Sequence, residues 1–116
     1  MRTHQFPILL ISLAITSCSQ ASAAMPDPAN DVDCSVLAFY FKGLGEPTGA
    51  KPSQQQSLAR VHGWYSRKVQ EISQEKGAEA VLSRAGPVLE TVKKDPLAMR
   101  DAHMACAKRA IGEGLH

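Results

Sequence analysis

Two cysteines, Cys34 and Cys106, bracket nearly everything in this 116-residue chain that carries a helical pattern. A bond between them closes a loop of about 73 residues and, in the chain-entropy account, adds ~4 kcal/mol of stability. That is a large share of what a small domain has. Any fold would then have to bring the first helical segment against the last.

Whether the two thiols pair depends on the compartment, and the N-terminus bears on that. Met1–Phe6 carries one positive charge, at Arg2. Pro7–Thr16 is a short uncharged apolar run, and small and polar residues follow to Ala24. This is the pattern of a secretory signal. The run is about half of the ~20 apolar residues that a spanning helix needs. Two processing routes stay open. Ala21-Ser22-Ala23 suits signal peptidase, which makes 1–23 the signal. Ile15-Thr16-Ser17-Cys18 resembles a lipoprotein box, which makes 1–17 the signal and Cys18 a lipidated first residue. Acyl chains on Cys18 would hold the domain on a membrane through their buried CH₂ groups. Either route removes or consumes Cys18, and the even pair left in an exported chain reads as a disulfide.

Charge narrows the partners. The chain has 13 basic and 11 acidic residues, and cleavage removes Arg2 with no acid, so the remainder is close to neutral. There is no basic stripe to grip nucleic acid. The remainder has no membrane-spanning run, so a membrane would be reached only through lipid on Cys18. The expected partner is an unspecified protein or an envelope component. No cofactor motif is present.

Met25–Ala29 is a Pro-rich, extended lead-in within 24–31. Asn30 or Asp31 can cap a first helix over 32–44, apolar almost all round, with Asp33, Ser35 and Lys42 as its polar surface and Gly43 and Gly45 as its stop. Glu46–Lys51 is turn chemistry, and Pro52 suits a first helical turn. Ser53–Lys76 then repeats Leu58, Val61, Trp64 or Tyr65, Val69 and Ile72 at helical spacing. Arg67 and Glu71 are placed to pair at i, i+4. Gly63 interrupts this pattern and suggests a close approach by the first helix. Gly77 caps the segment. Ala78–Ala85 reads as two turns, and Gly86-Pro87 predicts a kink or a break before a second piece over 87–94. Asp95-Pro96 opens a last helix to about Ile111, with Leu97, Met104 and Ile111 every seventh residue and Met99, His103, Cys106 and Ala110 beside them. No stretch alternates long enough to be a strand. The expected fold is all-α: a small antiparallel bundle of four to five helices over 32–116, one disulfide joining first and last.

Candidate sites are few. Phe39, Phe41, Trp64 and Tyr65 are the heaviest apolar concentration and could contact a small hydrophobic ligand, or could simply fill a core otherwise built from Ala, Val and Leu. His62 and His103 are weak metal candidates, 41 positions apart with no third ligand evident. A His103/Cys106 nucleophile pair would need a free thiol, which the disulfide denies. Phosphate-loop, nucleophile-elbow, zincin and haem motifs are missing, so no catalytic residue is assigned.

Asp33-Cys34, the stretch Gly63-Trp64-Tyr65-Ser66-Arg67-Lys68-Val69, Met104-Ala105-Cys106 and Ile111-Gly112-Glu113-Gly114-Leu115 together resemble a group of small exported helical proteins of sphingomonad-type alphaproteobacteria. The group carries Gly-Arg-Leu where this chain has Ser66–Val69. The resemblance covers about 32–115 and implies a periplasmic helical domain with no known active residue. The functional expectation is a non-enzymatic exported protein that contacts a protein or the envelope, a small acid-responsive chaperone among its variants. A hydrophobic-ligand carrier and an outer-membrane lipoprotein are the alternatives.

Overall fold

A computed structural model describes residues 25–45 and 50–116. The signal, Cys18 and positions 46–49 of the turn lie outside the described residues. Among the described residues there are four α-helices: α1 Asp31–Gly45, α2 Pro52–Lys76, α3 Ala78–Lys94 and α4 Arg100–Glu113, the last preceded by a 3-10 turn at Leu97–Met99. Among the described residues there is no strand.

The helix boundaries follow local chemistry. Asn30 caps α1, its side-chain oxygen accepting from the backbone N–H groups of Val32 and Asp33. Pro52 sits in the first turn of α2, and the Gln54 side chain accepts from the Lys51 N–H. Gly77 alone links α2 to α3, at φ +93, where a residue with a Cβ would be strained. Asp95 accepts from the Ala98 N–H and starts the last segment. α4 ends with Gly114 at φ +126 and the Leu115 N–H reaching back to the Ala110 carbonyl, a Schellman closure.

Pairs of residues fix the directions. Asp31 meets Arg109, Cys34 is bonded to Cys106, and Phe41 stacks on His103, so α4 runs antiparallel to α1. Phe39 meets His62 while Phe41 and Leu44 lie near Leu58, so α2 is also antiparallel to α1. α3 packs on α1 and α2. α1 is therefore the interior helix: Cys34, Leu37 and Ala38 are wholly buried, with Val32 and Val36 nearly so. Val88 and Val92 of α3, Tyr65 of α2, and Cys106 and Ala110 of α4 close round it.

Four sequence expectations need correcting. The break expected at Gly86-Pro87 does not occur, since α3 is one helix through both residues. Both residues face outward, and the burial of Val88 and Val92 against α1 outweighs the missing N–H of Pro87. Gly63 makes no close approach, since a Cβ there would meet nothing within 4 Å. Arg67 lies over the Trp64 ring, 5.6 Å from its centroid, and among the described residues it forms no ion pair with Glu71. Asp33 is not surface: it is 0% exposed. Its Oδ1 accepts from Arg84 Nε at 2.8 Å, and its Oδ2 from Arg84 Nη2 at 2.7 Å and the Asp27 N–H at 2.8 Å.

A bidentate pair holding a buried carboxylate is costly to break from one side. Arg84→Met should therefore lower stability by ~3 kcal/mol in urea unfolding, at the low end of the buried range because the Arg84 side chain is 44% exposed. A loss under ~1 kcal/mol would reduce it to an ordinary surface bridge. Gly63→Ala should raise stability by up to ~1 kcal/mol, the helix-propensity difference with no clash to offset it. A lower midpoint for that variant would mean that the position needs a bare backbone after all.

Candidate functional site

α2 is flanked by two open apolar grooves. One lies between α2 and the start of the last helical segment, has a volume of about 670 Å³, and has Phe41 and His103 in its wall with Leu58, Leu97 and Met104. The other lies between α2 and α3, has a volume of about 690 Å³, and has Phe39 and His62 in its wall with Val69, Leu82 and Leu89. Both volumes fall in the range of small-molecule sites.

The grooves exist because large apolar side chains point away from the core. Leu97 is 76% exposed, Met104 55% and Ile111 63%. These are the three residues of the seven-residue repeat in the last segment, while its adjoining stripe, Met99, His103, Cys106 and Ala110, is the buried one. The disulfide holds the Cα atoms of Cys34 and Cys106 at 5.6 Å. Cys106 belongs to the stripe that this bond turns toward α1, so Met99, His103 and Ala110 are buried with it and the neighbouring stripe is left outside.

The four candidate ligand-contact rings do not form one pocket. Phe41 lines the α4-side groove and Phe39 the α3-side groove. Tyr65 is in the core, its hydroxyl donating to the Cys106 carbonyl at 2.6 Å. Burial pushes its phenol up, so it stays a donor. Trp64 lies under the cations of Arg67 and Lys68, 5.6 and 5.3 Å from its ring, and against Gly114. Helix geometry forbids the cluster: neighbours one or two positions apart point in different directions.

His62 and His103 are likewise divided between the two grooves. His62 Nε2 and Ser66 Oγ are 3.2 Å apart. The pair resembles half of a nucleophile–base arrangement, but among the described residues no carboxylate orients it. Burial, and then the Lys42 charge, lowers the His62 pKa. His103 stacks on Phe41, with centroids 4.7 Å apart, and is only 7% exposed, with no hydrogen-bond partner for Nε2. Burial lowers its pKa as well. Among the described residues no group of three His, Cys, Asp or Glu is placed to hold a metal ion. Cys106 is bonded to Cys34 and offers no thiol to His103.

Sequence reading missed a polar centre at the start of α1. Arg109 donates to the Pro28 carbonyl at 3.0 Å and to Asp31 at 2.9 Å, reaches Glu113 at 3.3 Å, and lies 5.2 Å from the centroid of the Tyr65 ring. Burial works against its charge, but the bond to Asp31 and the neighbouring acids outweigh it and raise its pKa further. With Arg84 on Asp33, this centre seals the disulfide from solvent. The available signal was an acid inside a helix apolar almost all round, which must be buried and hence paired. No protein-family model, curated protein or solved structure matches this chain.

The sign of the histidine effect follows from linkage. A histidine whose pKa is lowered by folding stays neutral while the unfolded chain takes up a proton. Stability is therefore fully present above the unfolded pKa near 6.5 and is lost as pH falls from there through the lowered folded value. His103→Gln should lose less stability than the parent between pH 7.5 and 5.0 in urea unfolding. Equal losses would mean that the ring is hydrated or charged in the folded state.

Proposed function

We propose that this chain is an exported, non-enzymatic binding protein of the periplasm or envelope, whose working surface is the pair of apolar grooves flanking α2. One observation carries the reading. Large side chains such as Leu97, Met104 and Leu82 are exposed beside preformed grooves, although turning them inward would have enlarged a thin core. Exposed contiguous apolar surface of this kind marks binding sites.

Export is supported by the disulfide, which forms and persists in oxidising compartments, and by the charged, apolar and small-residue succession of residues 1–24. No helix among the described residues is long and apolar enough to cross a membrane. A binding role suits the geometry better than a catalytic one, because the His62–Ser66 pair lacks an orienting acid and the histidines sit apart. The resemblance to exported sphingomonad-type helical proteins points the same way. A lipoprotein form is favoured by one specific feature, the Ile15-Thr16-Ser17-Cys18 box.

Intact mass of the protein from envelope fractions distinguishes the forms. Cleavage after Ala23 should give an unmodified chain starting at Ala24, two hydrogens lighter than its reduced form. A chain starting at Cys18 with added acyl mass would establish the lipoprotein instead. A full-length chain with free thiols in the cytoplasm would overturn export altogether.

A further inference from the structure

The two grooves differ in charge. No residue lining the α3-side groove is charged at neutral pH: its polar members are serines, Gln70 and His62, whose pKa is lowered. Among the described residues, the α4-side groove has one cation in its lining, Arg100. Arg84 and Arg109 are each taken up by carboxylates, whereas the Arg100 guanidinium makes no ion pair or side-chain hydrogen bond among the described residues. Beside it the His103 ring, more than nine-tenths buried, forms part of the same wall, and its Nε2, itself buried, has no partner. A buried polar atom without a partner is costly. The groove therefore holds an apolar wall, one free cation and one unsatisfied imidazole.

We propose that the α4-side groove binds a single-chain amphiphile with one negative charge, an alkyl carboxylate, its tail along Phe41, Leu44, Leu58 and Met104 and its head at Arg100. The proposal rests on the reading of the grooves as the working surface and adds the class of ligand. One guanidinium matches one negative charge. His103 is held neutral by its burial and adds no second cation, so a dianionic head would be left partly uncompensated in an apolar setting. The volume of about 670 Å³ suits a small molecule, and a folded partner would need a larger surface.

Calorimetric titration of the exported protein with decanoate, decyltrimethylammonium and decyl maltoside, all kept monomeric, tests this. Decanoate should bind once per chain, on the order of tenfold tighter than the other two, the worth of one charge-assisted contact. Arg100→Gln should remove that preference and leave binding of decyl maltoside unchanged. Both Arg100 and Met104 are exposed, so the variants should fold, which far-ultraviolet dichroism checks. Met104→Glu should abolish decanoate binding, while Leu82→Glu in the other groove should not. Equal binding of all three amphiphiles would overturn the anionic class and leave the grooves as the working surface. Loss with Leu82→Glu alone would place the site in the wrong groove. No binding of any amphiphile would overturn the ligand proposal, and an envelope protein captured by the parent but not by Met104→Glu or Leu82→Glu would then show that the broader reading of the grooves survives without it.

Discussion

Cys34 is bonded to Cys106, and the residue before it, Asp33, is buried against Arg84. Two consecutive positions in the first turn of α1 thus tie that helix to α4 by a covalent bond and to α3 by a paired charge. Asp31, two residues earlier than Asp33, adds Arg109 of α4, and the Asp27 N–H brings in the lead-in. The other elements are arranged around this point. The disulfide restricts the unfolded chain. The carboxylate adds direction, because a buried charge is tolerable only where its partner has arrived in the right geometry. Misplaced packings of α3 would leave Asp33 buried and alone.

The same anchor explains why the molecule has grooves. The bond at Cys34–Cys106 turns the Cys106 stripe of α4 inward, and the large aliphatic residues beside it, Met104 and Ile111, face outward. The core then relies on α1, which supplies Leu37 and Val36, and on Tyr65 reaching in from α2. Space between α2 and its neighbours is lined by apolar atoms but not filled. In a protein with so few aromatics, an outward Leu97 and Met104 amount to apolar surface left out of an already small core.

Arginine has two roles here, set by what surrounds each guanidinium. Arg84 and Arg109 are structural: they satisfy acids at the head of α1, and Arg109 also covers the Tyr65 ring whose hydroxyl holds the Cys106 carbonyl. Among the described residues, Arg100 stands at an apolar groove without a carboxylate partner. The spacing of arginines along the chain does not place Arg84 on Asp33 or Arg109 on Asp31, because those acids lie 51 and 78 positions away.

By itself the sequence determined the helical class, three of the helix starts, the Gly77 end of α2 and the pairing of Cys34 with Cys106. Each of these depends on local chemistry: a capping side chain, a proline in a first turn, a glycine with positive φ, or the two cysteines that the helical region holds. Only the tertiary structure decided that α3 continues through Pro87, that Asp33 is buried, that Leu97, Met104 and Ile111 face out, and that Phe39, Phe41, Trp64 and Tyr65 go to separate places. Those outcomes depend on which face of each helix meets another. Periodicity reports that a stripe exists, but when two stripes lie side by side on the last segment, the disulfide turns inward the one that contains Cys106.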